Sequence, residues 1–486
     1  MVRFLSLEHY EQPLSAGYRL LPFKFTQLQG NEYVVTNQAG EFLVLARDDL
    51  EAFVQHRLPF RSAIYADLKS KHFLMDDDSD VAIDLLTLKV RTKLKRLADF
   101  TGLHIFVVSL RCEHSCPYCQ VSRQSDDKRA FDMSSATATK AIDLVFRSPS
   151  PSLKIEFQGG EPLLNFPLIQ DVVLAAKVRN RTEQRNLAFV IATNLAPLTD
   201  EMLDFCREHD VLISTSLDGP ADLHNRNRPR PGRNSYQLAV AGIDRARMAL
   251  GRDRVSALMT TTEASLDRVR DIIDEYLVRG FDGIFLRPLS PYGFAVKTRW
   301  YAAYDAERWL RFYREGLGYI IELNRNGTFF VEQYAATILS KMLTPFETGY
   351  VDLMSPAGIG LGAAVYNYDG DVYASDEARM LAEMGNPTFR LGNVHTDTYE
   401  SIFLSDTLLD ALESSYTGSA PMCADCAFEP FCGADPVYHH ATQGDFVGHK
   451  PTSAFCVRNI SIFRHLITLM RADDEVRRIF QSWVSV

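Results

Sequence analysis

The chain has 486 residues, more than one hydrophobic core normally serves, so two or three domains are expected. Its 46% hydrophobic and 23% charged residues describe an ordinary globular protein, and a net charge of −10 argues against nucleic acid, which is bound by cationic side chains. No run approaches the roughly 18–20 apolar residues of a membrane helix, and the opening MVRFLSLEHY lacks the apolar core of a signal peptide, so a cytoplasmic protein is expected.

Taken in chain order, residues 17 to 45 predict three short strands, GYRLLPFKF, NEYVVTN and GEFLVLA, broken by QGN and QAG turns. Two helices follow, DDLEAFVQHRL with Asp48 as its N-cap, then AIYADLKSKHFL. A polar break at Asp76 to Asp80 closes a small domain over 1–80, and the basic amphipathic stretch VAIDLLTLKVRTKLKRLADF is a helical linker over 81–101. From residue 102 to 300, six strand-like runs (LHIFVVSL, LKIEFQ, LAFVIA, VLISTS, VSALMT, GIFLRPL) alternate with helical stretches. That alternation predicts parallel βαβ units, as an open sheet or a partial barrel, with the chemistry at the carboxyl ends of the strands. Over 301–486 come two helices, a hairpin AAVYNYDGDVYAS turning at Asp369-Gly370, a second cysteine group and a closing helix, SIFRHLITLMRADDEVRRIFQSWV.

Seven of the eight cysteines form two groups. A reducing cytoplasm disfavours disulfides, so tight groups point to metal or redox chemistry. Cys206, in the helical stretch DEMLDFCREH, reads as a packed core thiol. Cys112, Cys116 and Cys119, in CEHSCPYC, sit on the turn after the first barrel strand. Three thiolates leave one iron of a cubane 4Fe-4S cluster open to a substrate. The alternative is a zinc knuckle completed by His114 or a distant residue, for which CxxxCxxC is not a usual spacing.

CxxxCxxC at this place resembles the signature of radical S-adenosylmethionine (SAM) enzymes, and the likeness continues from about residue 102 to 290. Gly159-Gly160-Glu161-Pro162, preceded by Gln158 at the end of the second strand, matches the GGEP motif. The resemblance implies that this backbone and Glu161 hold the methionine amino group of SAM. Thr193-Asn194 ends the third strand and Ser216 the fourth, and Arg228 lies twelve residues past Ser216. In the family's peptide-modifying branch such a serine and arginine contact the ribose and carboxylate of SAM, although Arg228 also suits the surface. Arg287, on the last strand, is expected at the same mouth or in a buried salt bridge. The implied fold is α/β, a partial (β/α)6 barrel, and the implied chemistry is reductive cleavage of SAM to a hydrogen-abstracting 5′-deoxyadenosyl radical.

MCADCAFEPFCGADP resembles the cysteine-rich SPASM extension of peptide-modifying radical SAM enzymes. Cys423, Cys426, Cys432 and Cys456 suffice for one complete auxiliary 4Fe-4S cluster. Cysteines common elsewhere in such extensions are replaced by Ser355, Ser375 and Pro436, which predicts two clusters rather than three. Zinc is the alternative at the second group, with His439 and His440 as further ligands to test. Asp376 occupies the position of a general base in the related sulfatase-maturing enzymes, or else simply begins a helix capped by Ser375. Gln158 also matches that branch, whereas Val121 replaces a tyrosine expected there.

The N-terminal unit resembles the winged-helix-like domain that holds a ribosomally made precursor peptide by strand addition. As a whole the architecture most resembles maturases of the His-Xaa-Ser type peptide system. That likeness implies oxidative cross-linking of a peptide, a second radical SAM partner protein, and an external electron donor such as ferredoxin or flavodoxin. A sulfatase-maturing enzyme and a non-catalytic peptide-binding scaffold are the competing readings.

Overall fold

A computed structural model describes residues 17–78, 81–297 and 306–484. The opening MVRFLSLEHY and the expected boundaries at 80 and 300 lie outside those residues.

The apolar runs of the middle region pair in parallel. Leu103–Ser109, Ser152–Gly159, Asn186–Thr193, Val211–Ser216 and Val255–Leu258 lie side by side in that order, each joined to the next through helices. Their helix-facing residues, Phe106, Ile155, Phe157 and Ile191 among them, are buried in the core shared with helices such as Phe166–Glu183. The mixed α/β sheet does not stop at the first barrel strand. Ala363–Tyr366 pairs parallel to it, Ala364 opposite His104, and Asp371–Tyr373 and Arg390–Asn393 continue the sheet antiparallel to eight strands. The Asp369-Gly370 hairpin therefore forms as expected, with Gly370 at φ 91°, but as an extension of the barrel wall.

The expected sixth strand is corrected by the structure. Only Gly283–Ile284 is paired, with Val331–Glu332 outside the main sheet. The buried Glu332 carboxylate takes the Leu286 N–H at 3.1 Å, and Pro288 has no N–H to offer, so no ladder can run on. Thr261 N–H donates to the Arg287 carbonyl at 3.0 Å and holds that segment beside the fifth strand.

In the N-terminal unit Lys24–Gln29, Glu32–Thr36 and Phe42–Ala46 form an antiparallel meander. The first predicted strand splits, because Arg19–Leu20 pairs with Leu74–Met75 instead. Helix Arg47–Val54 begins one residue before the expected cap: Ala46 is the N-cap, and Asp48 sits in the first turn, where it favours the helix dipole. Tyr18, Val35, Leu45, Phe53 and Phe73 share a hydrophobic cluster of their own. The closing helix is two, Ala454–Ala472 and Asp474–Val484, broken at Asp473, whose carboxylate accepts the Glu475 N–H at 2.7 Å. Among the described residues no helix is long and apolar enough to cross a membrane.

Candidate active site

The loop after Leu103–Ser109 is rooted by Arg111, buried and bidentate to Asp132 at 2.8 Å through each nitrogen. From that root Cys112, Cys116 and Cys119 turn into one cavity of about 260 Å³ at the carboxyl ends of the barrel strands. The loop is pinned at Ser115, whose N–H donates to the Pro229 carbonyl, and at Cys119, whose carbonyl accepts from Phe294. Burial pushes the Cys112 thiol well up and the Cys116 thiol up to about 12. Thiols buried in this way need a cationic metal to become thiolates, which is the donor chemistry of an iron–sulfur site.

Gln158, Gly159 and Gly160 form one wall of the cavity. Gly159 has φ 143°, and a β-carbon there would lie 1.9 Å from the Ser109 carbonyl oxygen; at Gly160 it would lie 2.3 Å from that of Arg111. Only glycine lets these two loops touch. Glu161 and Pro162 follow this wall, and the Glu161 carboxylate is turned into the protein interior. That group is wholly buried behind the wall, accepting from Thr193 Oγ1 at 2.6 Å, Asn194 N at 2.8 Å and Leu163 N at 3.0 Å. Burial, then the nearby Glu113, pushes it up to about 8. It braces the third strand end.

Thr193, Asn194 and Ser216 reach the cavity from the next two strand ends, and Arg228 joins them. Arg228 is no surface residue: its Nε lies 3.0 Å from the fully buried Asp218 carboxylate, and its guanidinium sits over the Tyr118 ring at 5.6 Å. Arg287 lines the same mouth, 3.9 Å from Glu377.

Asp376 sits at a helix start and on the cavity wall. It begins helix Asp376–Ala382, capped by Ser375 Oγ accepting the Ala378 N–H at 3.1 Å. Its partner is the buried Arg379 at 3.4 Å, which also donates to the Val121 carbonyl. Gln158 donates to Glu156 at 2.7 Å, and Glu156 lines the cavity too. The sequence reading passed over Glu156, yet the two-residue period of a strand places it on the face of Gln158.

Arg287 also borders a second chamber of about 50 Å³, where Asp352, Glu377, Asp435 and Arg458 converge on the unpaired hydroxyl of Tyr292. Burial, then Asp352 and Asp376, pushes Glu377 up to about 8; burial, then Asp352, pushes Asp435 up to about 7.

Cys423, Cys426, Cys432 and Cys456 surround one cavity of about 640 Å³ with apolar walls that include Phe428, Phe455 and Phe463. Burial raises all four thiols, Cys456 to about 11, and each of the other three raises Cys432 further, while Lys24, Lys450 and Arg464 act in the opposite direction. His439 is spent on the Asp435 carbonyl and Ser453 Oγ, at 2.7 and 3.0 Å, and His440 on Asn386 at 3.1 Å. Ser355 Oγ meets Thr417 Oγ1 at 2.6 Å, and Pro436 begins a helix. Cys206 lies in the core, its thiol pushed up to about 12 by burial.

A parallel barrel sheet whose first loop gathers three cysteines against a Gly-Gly wall defines a radical SAM enzyme. Residues 106–276 match the radical SAM superfamily, so the chain carries a radical SAM domain. That family uses a 4Fe-4S cluster and SAM. A serine-type anaerobic sulfatase-maturating enzyme of Bacteroides thetaiotaomicron is 23% identical over 387 residues, 75% of this chain and 88% of that protein. An uncharacterized protein of Methanothermobacter thermautotrophicus is 30% identical over 194 residues, 39% of this chain and 69% of that protein. Native anSMEcpe with bound AdoMet shares the fold, with a TM-score of 0.61 at 16% identity over 79% of this chain and 99% of that one.

Proposed function

We propose that the chain oxidatively modifies, by cross-linking, a ribosomally synthesised peptide. In this reading Cys112, Cys116 and Cys119 hold the SAM-binding 4Fe-4S cluster, and Cys423, Cys426, Cys432 and Cys456 hold an auxiliary one. When bound, the cluster and SAM supply one-electron reduction and a radical able to abstract hydrogen. The Gly159–Gly160 backbone, Thr193, Asn194, Ser216 and Arg228 orient SAM, Arg228 being kept in place by Asp218. Arg287 faces the substrate side of the same mouth.

The observation that carries the reading is Asp376 on the cavity wall that also bears the three cysteines. A substrate carbon that has lost a hydrogen atom would complete a two-electron oxidation by losing one more electron and one proton. The electron would go to the auxiliary cluster at Cys423, Cys426, Cys432 and Cys456, and the proton to Asp376. The N-terminal sheet would seat the peptide along Phe42–Ala46, an edge strand of the three-stranded sheet. An external electron donor and a partner protein belong to this proposal as expectations.

A sulfatase-maturing activity is the second reading, favoured by the B. thetaiotaomicron relative, which covers most of both chains. Purified, anaerobically reconstituted chain should form 5′-deoxyadenosine from SAM under reduction, and Cys116→Ala should form none. A sulfatase peptide then separates the readings: its oxidation to a formylglycine product would replace the cross-linking proposal, and its survival unchanged supports it.

A further inference from the structure

We infer that the N-terminal sheet tunes the reduction potential of the four-cysteine site, Thr36 acting through one peptide group and Lys24 through its charge. The inference rests on the proposal that those cysteines hold an iron–sulfur cluster. Thr36 ends strand Glu32–Thr36, is wholly buried, and donates its hydroxyl to the Ala427 carbonyl at 2.6 Å. That carbonyl belongs to the same peptide group as the Phe428 N–H, which donates to Cys426 Sγ at 3.4 Å. Hydroxyl, peptide and sulfur thus form one chain of two hydrogen bonds. Donation into the carbonyl polarises the peptide and strengthens its N–H as a donor. Hydrogen bonds to cluster sulfurs favour the more negative, reduced state, so this chain raises the potential.

Lys24 acts beside it. Its ammonium lies 2.9 Å from Glu429, and both side chains are largely buried. Glu429 stands within the same loop, between Cys426 and Cys432, and also accepts the Thr417 hydroxyl at 2.6 Å. Removing Lys24 leaves an uncompensated carboxylate next to the cysteines in a medium of low dielectric. Nothing about the contact is loose: Arg464, from the helix that carries Cys456, donates to the Gln27 carbonyl, and Phe42 meets Phe431 edge-to-face at 6.0 Å. A module some 390 residues earlier in the chain, by a separation of 391 at the Thr36 contact, therefore packs directly on the loop that carries Cys426 and Cys432.

The test uses the full-length chain carrying Cys112→Ala, Cys116→Ala and Cys119→Ala, so that only the second site is read. Iron and sulfide are counted, and the midpoint potential is taken from an EPR-monitored titration. Thr36→Val is expected to keep its iron and shift the potential to more negative values, with Thr36→Ser returning it to the parent value. Lys24→Gln is expected to shift it in the same direction. A Thr36→Val potential equal to the parent's overturns the peptide relay. Should Thr36→Val fail to load iron, an unshifted Lys24→Gln overturns the inference. A parent without iron at this site, when the unsubstituted chain still holds its three-cysteine cluster, overturns the cluster reading instead.

Discussion

Arg228 and Asp218 form a buried pair, Nε to carboxylate at 3.0 Å, within the stretch that follows the fourth barrel strand. Asp218 also accepts the Tyr118 hydroxyl at 2.5 Å and the Thr260 N–H at 3.3 Å. Tyr118 lies between Cys116 and Cys119, so one carboxylate joins the metal loop, the proposed SAM contact and the fifth strand. Asp218→Asn leaves the guanidinium without its counter-charge and should cost about 3–5 kcal/mol in chemical denaturation of the metal-free chain. Its SAM affinity should fall with its stability. A loss below about 1 kcal/mol would show that the network is dispensable.

Asp376→Asn keeps the helix start, because Ser375 remains the cap. Formation of 5′-deoxyadenosine should continue, while oxidised peptide falls roughly 10²–10⁴-fold, the usual contribution of a positioned base. Equal loss of both products would instead assign Asp376 to SAM binding.

Gly159→Ala drives a methyl group against the Ser109 carbonyl, at a backbone conformation that side chains rarely adopt. Overpacking of this kind costs about 1–3 kcal/mol or more. Reconstituted Gly159→Ala should bind SAM far more weakly than wild type by equilibrium dialysis, with iron content following wherever the cysteine loop shifts.

The acidic chamber makes the metal-free chain sensitive to alkali. Glu377 is raised to about 8 among Asp352, Asp376, Asp435 and Arg287, with Arg458, Tyr292 and Tyr350 around it. A carboxyl raised on folding favours its protonated form, so its contribution is complete below the ordinary carboxylate range and is lost as pH rises through its folded value. Tm should therefore decline from roughly pH 5 to roughly pH 8.5, and Glu377→Gln should flatten that decline. A Tm that rises over this window in the wild type would contradict the assignment.

Much of the barrel was legible because its strands carry short runs of apolar and β-branched residues between helical stretches. Cysteine spacing and the Gly159-Gly160 pair were legible because close approach of loops leaves no other residue type. What escaped was decided by partners distant in sequence. Glu332 diverts the Leu286 N–H and ends the sixth strand early, and Ala363–Tyr366 finds its place only against Leu103–Ser109. Glu161 carries the motif, yet whether its carboxylate faces ligand or core depends on Thr193 and Asn194. At Asp48 a local cap signal lost by two residues to Ala46, because strand Phe42–Ala46 runs directly into the helix.

The most direct measurement is the intact mass of short peptides encoded beside this gene after anaerobic co-expression with the chain. Loss of paired hydrogens, abolished by Cys116→Ala, is the predicted result and counts the bonds formed. Unchanged masses, from an enzyme that still cleaves SAM and converts a sulfatase peptide, would contradict the account.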